Sequence, residues 1–270
     1  MIDALIDGKP GDSIPVDDRG FLYGDGLFET IAFRSGVAPL WRLHWQRLRA
    51  SSARLGLVVP DEEILFDECR QLAGEGRCVI RVSLTRGSGG RAYEPLAEPI
   101  CRRVVQRRHW PDAIHDQRER GICAVTSPIH LAIGSMLAGM KHGNRLEQVL
   151  AARDCAASGA EEALLYDASG YLAEAIASNI ILVIKGRAVT PPTSEAGVGG
   201  VGLEWLMEQD EVQMEIERLT REDTGQAEEI MMINSVAGIR PVTALDNRRL
   251  AAGPTCRAWQ RLWTDRLESQ

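Results

Sequence analysis

The chain has 270 residues, 44% hydrophobic and 26% charged, close to ordinary globular domains, which excludes a disordered or fibrous polymer and suits one large domain or two smaller ones. A formal net charge of −7 opposes contact with nucleic acid or an anionic membrane, so any local basic group calls for a small anionic ligand or an acidic neighbour. Cys69, Cys78, Cys101, Cys123, Cys155 and Cys256 contain no CxxC pair, which argues against a metal site and against a disulfide framework.

The N-terminus is acidic where an export signal needs a basic start and an apolar run, so a cytoplasmic protein is expected. Ala4-Leu5-Ile6, the Asp7-Gly8 turn and a short run before Pro15 predict a hairpin. Trp41, Trp45, Leu48 and Leu55 recur at helical spacing, with Gly56 placed as a C-terminal cap. A second helix is expected from Asp61, burying Ile64, Leu65, Cys69 and Leu72. Val79 to Thr85 alternates as a half-buried strand and runs into the loop Arg86-Gly87-Ser88-Gly89-Gly90-Arg91. Arg102, Arg103, Arg107 and Arg108 read as solvated strand and linker charges.

Pro111 lies in a polar stretch that marks a boundary, giving an N-terminal domain over 1–108, a linker over 109–118 and a C-terminal domain over 119–270. The second half reads as a strand at Gly121–Thr126, a helix at Arg145–Ala157, strands at Ala163–Tyr166, Tyr171–Leu172 and Ile180–Ile184, a helix from about Val201, a strand at Ile230–Ile233 and a C-terminal helix carrying Trp259, Leu262 and Trp263. The apolar run Ile180–Ile184 is far short of the roughly 20 residues that cross a bilayer. Strands and helices mix without a βαβ rhythm, so the fold class is α+β in two domains.

Three places invite chemistry. Lys141, in Ala138-Gly139-Met140-Lys141-His142-Gly143-Asn144, is the best placed of three lysines for a desolvated, nucleophilic amine, against the plain alternative of a solvated charge. Asn144 and Glu147 have the spacing of a capping box for the helix that follows. Gly197-Val198-Gly199-Gly200-Val201-Gly202 matches the GxGxxG fingerprint, but Pro191 to Glu195 separate it from a strand, so no dinucleotide fold follows. The glycine-rich backbone opening a helix at Val201 and Gly202 suits a phosphate or a merely flexible loop equally. Glu174 follows a strand and precedes small residues, so its carboxylate is either enclosed with a partner or a solvated strand end.

Together these motifs resemble the fold-type IV pyridoxal-phosphate enzymes, which comprise branched-chain and D-amino acid aminotransferases and aminodeoxychorismate lyase. Asp18-Arg19-Gly20-Phe21-Leu22-Tyr23-Gly24-Asp25-Gly26-Leu27-Phe28-Glu29-Thr30 resembles the family's N-terminal signature, and His44-Trp45-Gln46-Arg47-Leu48 its helix. The resemblance implies pyridoxal 5'-phosphate as cofactor, Lys141 as its Schiff-base lysine, Glu174 as partner of the pyridine nitrogen, and Arg47, Val201, Gly202, Asn234 and Ser235 around the phosphate. It also implies a homodimer that takes a small-molecule substrate. Gly202 departs from the threonine of many relatives, and Gly143 replaces a bulkier residue.

Within the family, Lys141 to Leu150, Arg86 to Tyr93, and Thr30 with Asn234 are similar to the lyase branch, which makes p-aminobenzoate and pyruvate from aminodeoxychorismate in folate biosynthesis. That branch implies Lys141 and Thr30 as catalytic groups, and Arg86, Arg91 and Asn234 as substrate contacts. A branched-chain or D-amino acid aminotransferase is the alternative, and a non-catalytic binding protein is a remote one.

Overall fold

The computed structural model describes residues 3–268. The chain divides into two compact units, one comprising Met1–Trp110 and Met140–Asn144, the other Pro111–Gly139 and Arg145–Gln270. Both mix helices and strands, so the α+β class expected from the sequence is found.

The first unit contains β1 (Ala4–Ile6), β2 (Lys9–Pro10), α1 (Arg19–Tyr23), β3 (Gly26–Arg34), α2 (Trp41–Leu55), α3 (Glu62–Ala73), β4 (Arg77–Thr85) and β5 (Arg102–Arg108). Asp7 and Gly8 both take positive φ, 50° and 81°, which is the backbone that a two-residue hairpin turn requires. The hairpin they close extends an antiparallel sheet of order β2-β1-β5-β4-β3. Strand alternation sends Leu27, Glu29, Ile31, Ile80, Val82 and Leu84 into the buried layer that carries α2 and α3. Phe28, Thr30, Arg81, Ser83 and Thr85 fall on the opposite face.

Helix α2 ends as expected, at Gly56 in the left-handed region. Its buried stripe, however, is Leu43, His44, Leu48, Ser51 and Ser52 rather than the two tryptophans. Trp41 instead donates its indole N–H to Glu62 at 3.0 Å and packs edge-on against Phe66, joining α2 to α3 at their margin. Ile64 of α3 is likewise outside the core, whereas Leu65, Cys69 and Leu72 are inside it.

Met140–Asn144 runs along the free edge of β3. The N–H of Phe28 donates to the Lys141 carbonyl, and the N–H of Gly143 to that of Gly26, both at 2.9 Å. Lys141 therefore groups with the first unit, a correction to its expected place in the C-terminal domain. The capping box also fails. Arg145 occupies the N-cap, the Asn144 side chain donates to the Gly24 carbonyl at 3.2 Å, and Glu147 accepts from the N–H of Ala132. Partners distant in sequence have taken both side chains.

The second unit comprises α4 (Ile114–Arg120), β6 (Ile122–Leu131), α5 (Leu146–Ser158), β7 (Glu162–Asp167), β8 (Leu172–Ala175), β9 (Asn179–Ile184), β10 (Arg187–Thr190), α6 (Val201–Met207), β11 (Met214–Ile216), α7 (Arg221–Gln226), β12 (Glu229–Asn234), β13 (Gly238–Leu245), β14 (Arg248–Arg249) and α8 (Pro254–Trp263). Its sheet runs β11-β10-β9-β12-β13-β6-β7-β8, with β14 beside β13. Ile122, Leu164, Ile180, Leu182, Ile230, Met232 and Val242 fill one core cluster. Among the described residues no helix is long and apolar enough to cross a membrane.

Candidate active site

Lys141 is half-buried, and its Nζ lies 4.5 Å from the centroid of the Phe28 ring. On the same ring sits Arg81, its guanidinium carbon 4.0 Å from the centroid. Arg81 and Thr30 face each other across β3 and β4. With Phe28, Ser83, Thr85 and Gly143, Arg81 lines a cavity of about 410 Å³ in the first unit. No carboxylate pairs with Arg81 among the described residues. Burial, and then the nearby Arg108, push its pKa down, as expected of a cation lacking a counter-charge.

Behind this face, the buried Glu29 pairs with the half-buried Arg47. Arg47 donates from Nε to Glu29 Oε1 at 2.8 Å and from Nη2 to Oε2 at 2.5 Å, the bidentate geometry that a guanidinium favours. His44 Nδ1 lies 2.7 Å from the same Oε2. Burial alone would raise the Glu29 carboxyl, but Arg47 and His44 outweigh it and hold the group at about 2. Burial pushes His44 down from its usual value, with Glu29 opposing, so the imidazole is neutral. Its Nε2 is buried without a hydrogen-bond partner among the described residues.

In the second unit Glu174 is enclosed, accepting from Gln148 Nε2 at 3.0 Å and from the Val198 N–H at 2.9 Å. Gly197 makes this enclosure possible. It takes φ of +79°, and a Cβ there would lie 3.0 Å from Glu174 Oε2. Gly199 and Gly139 bind through their backbones. Val201 and Gly202 are the first residues of α6, whose N–H groups have no carbonyl partner within the helix. A Cβ on Gly202 would lie 3.0 Å from the Asn234 carbonyl carbon and 3.2 Å from the Ser235 nitrogen. The missing side chain thus lets the Asn234–Ser235 turn close onto the helix start.

Three sequence-derived substrate contacts fare differently. Arg86 is consumed by structure. It donates to both Asp25 oxygens, at 2.8 and 3.0 Å, and to the carbonyls of Leu55 and Gly56. The Asn234 side chain accepts from the N–H groups of Val236 and Ala237 and donates to Ala177 and Ser178. These bonds shape its own turn. Arg91 is exposed on a loop whose carbonyls at Ala92 and Tyr93 are tied down by Arg19.

The sequence reading missed Arg81, Glu29, His44 and Gln148. Glu29 carried a usable signal, since it breaks the apolar phase of Leu27 and Ile31 on a strand and so had to be buried with partners. Arg81 carried none, because a polar strand face looks the same whether it meets water or a ligand.

Comparison with known proteins finds relatives over nearly the whole chain. A solved structure of 4-amino-4-deoxychorismate lyase from Pseudomonas aeruginosa superposes with a TM-score of 0.92 at 35% identity, covering 98% of this chain and 99% of that one. Aminodeoxychorismate lyase from Vibrio harveyi is 29% identical over 247 residues, 89% of this chain and 90% of its own length. A Methanocaldococcus jannaschii protein provisionally assigned as a branched-chain-amino-acid aminotransferase is also 29% identical, over 90% of this chain and 86% of its own. The amino-transferase class IV pattern spans residues 26–245, from the first residue of β3 to the last of β13, and the chain is therefore a member of the class IV aminotransferase family, with its fold-type IV architecture.

Proposed function

We propose that the protein is a cytoplasmic, homodimeric lyase of folate biosynthesis that uses pyridoxal 5'-phosphate to convert 4-amino-4-deoxychorismate into p-aminobenzoate and pyruvate. The observation that carries this reading is Arg81, a half-buried cation without a carboxylate, in a cavity that also presents Phe28. Thr30 opposes it on the neighbouring strand. A dicarboxylate ring substrate supplies the missing charge and an apolar body for the aromatic wall.

The residues fit the cofactor. The half-buried guanidinium of Arg47 and the glycine-lined start of α6 suit a phosphate, and the enclosed Glu174 carboxylate suits a protonated ring nitrogen. When bound, pyridoxal phosphate supplies an aldehyde carbon to which amines add and a ring that accepts an electron pair. Lys141 would hold the aldehyde, and its free amine is placed to act as the base for the proton on the amine-bearing carbon of the substrate. Glu174, fixed by Gln148 and Val198, would be the partner of the ring nitrogen. Arg47, the backbone of Val201 and Gly202, and the Asn234–Ser235 turn are the groups that would hold the phosphate. Arg81 and Arg91 take the two substrate carboxylates, in place of Arg86. Thr30 would donate a hydrogen bond to the ether oxygen of the leaving enolpyruvyl group, which the amine of Lys141, having taken up the substrate proton, could protonate.

The homodimer is supported by apolar side chains that the chain leaves uncovered. Phe21 is 69% and Tyr93 83% exposed in the first unit, and Leu146 is 77% exposed on α5 in the second. Sedimentation velocity at micromolar concentration is expected to give twice the monomer mass.

The test is to supply aminodeoxychorismate to the purified protein and follow the fluorescence of p-aminobenzoate. Borohydride reduction of the coloured enzyme is expected to label Lys141. The second reading, a branched-chain or D-amino acid aminotransferase, is favoured by the equal identity of an aminotransferase relative. It requires the same Lys141 and Glu174, and it is the one supported if amino acids drive the pyridoxamine form while aminodeoxychorismate persists.

A further inference from the structure

Arg47 and Glu29 present a puzzle of placement. A buried ion pair adds little stability over apolar side chains of similar size, so its presence calls for another reason. Here the carboxylate is 1% exposed and takes three donors, two from Arg47 and one from His44. Arg47 uses Nε and Nη2 for Glu29, which is one edge of the planar fork. The end edge, Nη1 with Nη2, is thereby turned in a defined direction away from Glu29. A guanidinium on a flexible stem acquires a single orientation this way, and the rotamer entropy that a phosphate contact would otherwise cost is removed in advance. The orphaned Nε2 of His44, on the same carboxylate, is a buried polar atom still to be satisfied by a ligand or an ordered water.

We infer that Glu29 is a positioning residue for the cofactor phosphate, acting through Arg47 and assisted by His44, and taking no part in the chemistry at the aldehyde. This rests on the proposed pyridoxal-phosphate dependence, and it adds a specificity claim that the dependence does not contain. Glu29 governs the preference for the phosphorylated vitamer over the same vitamer without phosphate.

The experiment compares binding of pyridoxal phosphate with binding of pyridoxal, each followed by absorbance of the Lys141-bound chromophore, in the wild-type protein, Glu29→Gln and Glu29→Asp. Glu29→Gln keeps the shape but loses the charge, and Glu29→Asp keeps the charge but withdraws it by one methylene, so the two perturb the pair in different ways and the ratio is read on whichever gives a wild-type circular dichroism spectrum. Both variants are expected to bind pyridoxal within about twofold of wild type and pyridoxal phosphate roughly tenfold more weakly, the loss equivalent to one well-aligned charged hydrogen bond. Equal weakening of both vitamers would assign Glu29 to the fold alone and overturn the inference, as would an unchanged ratio. A wild-type protein that binds neither vitamer would instead refute the cofactor reading itself.

Discussion

The Arg81 guanidinium lies 4.0 Å from the centre of the Phe28 ring and has that aromatic face where a counter-ion would ordinarily be. A cation over an aromatic face gains about 1–2 kcal/mol, less than a carboxylate gives when desolvated, so the pair is stable yet ready to accept an anion.

Arg81→Met is therefore expected to raise KM for a carboxylate substrate by roughly 10- to 100-fold, the effect of about 1.5–3 kcal/mol in a charged hydrogen bond. Cofactor affinity and the thermal midpoint should stay within experimental error of wild type, or the midpoint should rise, since an uncompensated charge leaves the interior. Steady-state kinetics with scanning calorimetry checks this. Loss of cofactor colour would show that Arg81 serves the fold or the cofactor.

Arg86→Met should behave in the opposite way. Four hydrogen bonds to Asp25, Leu55 and Gly56 vanish, and Asp25 keeps only its 3.0 Å bond to Arg19. Unfolding in urea is expected to reveal a loss of about 2–4 kcal/mol, reduced somewhat because both side chains retain some solvent contact. Asp25 itself is held below its ordinary value: burial opposes this, but hydrogen bonds from Arg86 and Arg19 outweigh it.

Acid should unfold the protein partly through Glu29. Its carboxyl drops from 4.5 in the open chain to about 2 in the fold. A depressed carboxylate stabilises fully above the unfolded value, and that contribution, on the order of 3 kcal/mol, is lost as pH falls from about 4.5 toward 2. His44 adds a loss of the same sign below its open-chain value of 6.5, because a buried neutral imidazole must gain a proton to unfold. Urea midpoints measured between pH 7 and pH 3 should therefore fall less steeply for Glu29→Gln than for wild type. Parallel curves would contradict the assignment.

Gly202→Thr would install the residue that many relatives carry, yet it is expected to harm this chain. The new Cβ would meet backbone atoms of Asn234 and Ser235 at 3.0 and 3.2 Å, and backbone cannot rotate away as a side chain can. The turn must shift, at about 1–3 kcal/mol. Weaker pyridoxal-phosphate binding together with a lower thermal midpoint is the expected outcome, and tighter binding would mean that the turn yields freely.

Much of the molecule was legible from residues close together in the chain. The Asp7-Gly8 hairpin, the end of α2 at Gly56 and the alternation of β4 all follow from interactions spanning a few positions, where backbone sterics and apolar period act directly. The Asn144–Glu147 capping box had the same local logic and failed, because Gly24 and Ala132 offered each side chain a better partner from elsewhere in the chain.

The sequence by itself determined the α+β class, most strands and helices, and Lys141 as the amine worth testing. Only the tertiary structure decided that Lys141 lies along β3 beside Phe28, that Arg86 belongs to Asp25, and that Arg81 has no carboxylate partner among the described residues. The reason is physical. A side chain's period and propensity are properties of its neighbours in the chain, whereas whether a charge is paired depends on which carboxylates folding brings within about 4 Å, and that distance is set by pairing across strands and between elements far apart in sequence.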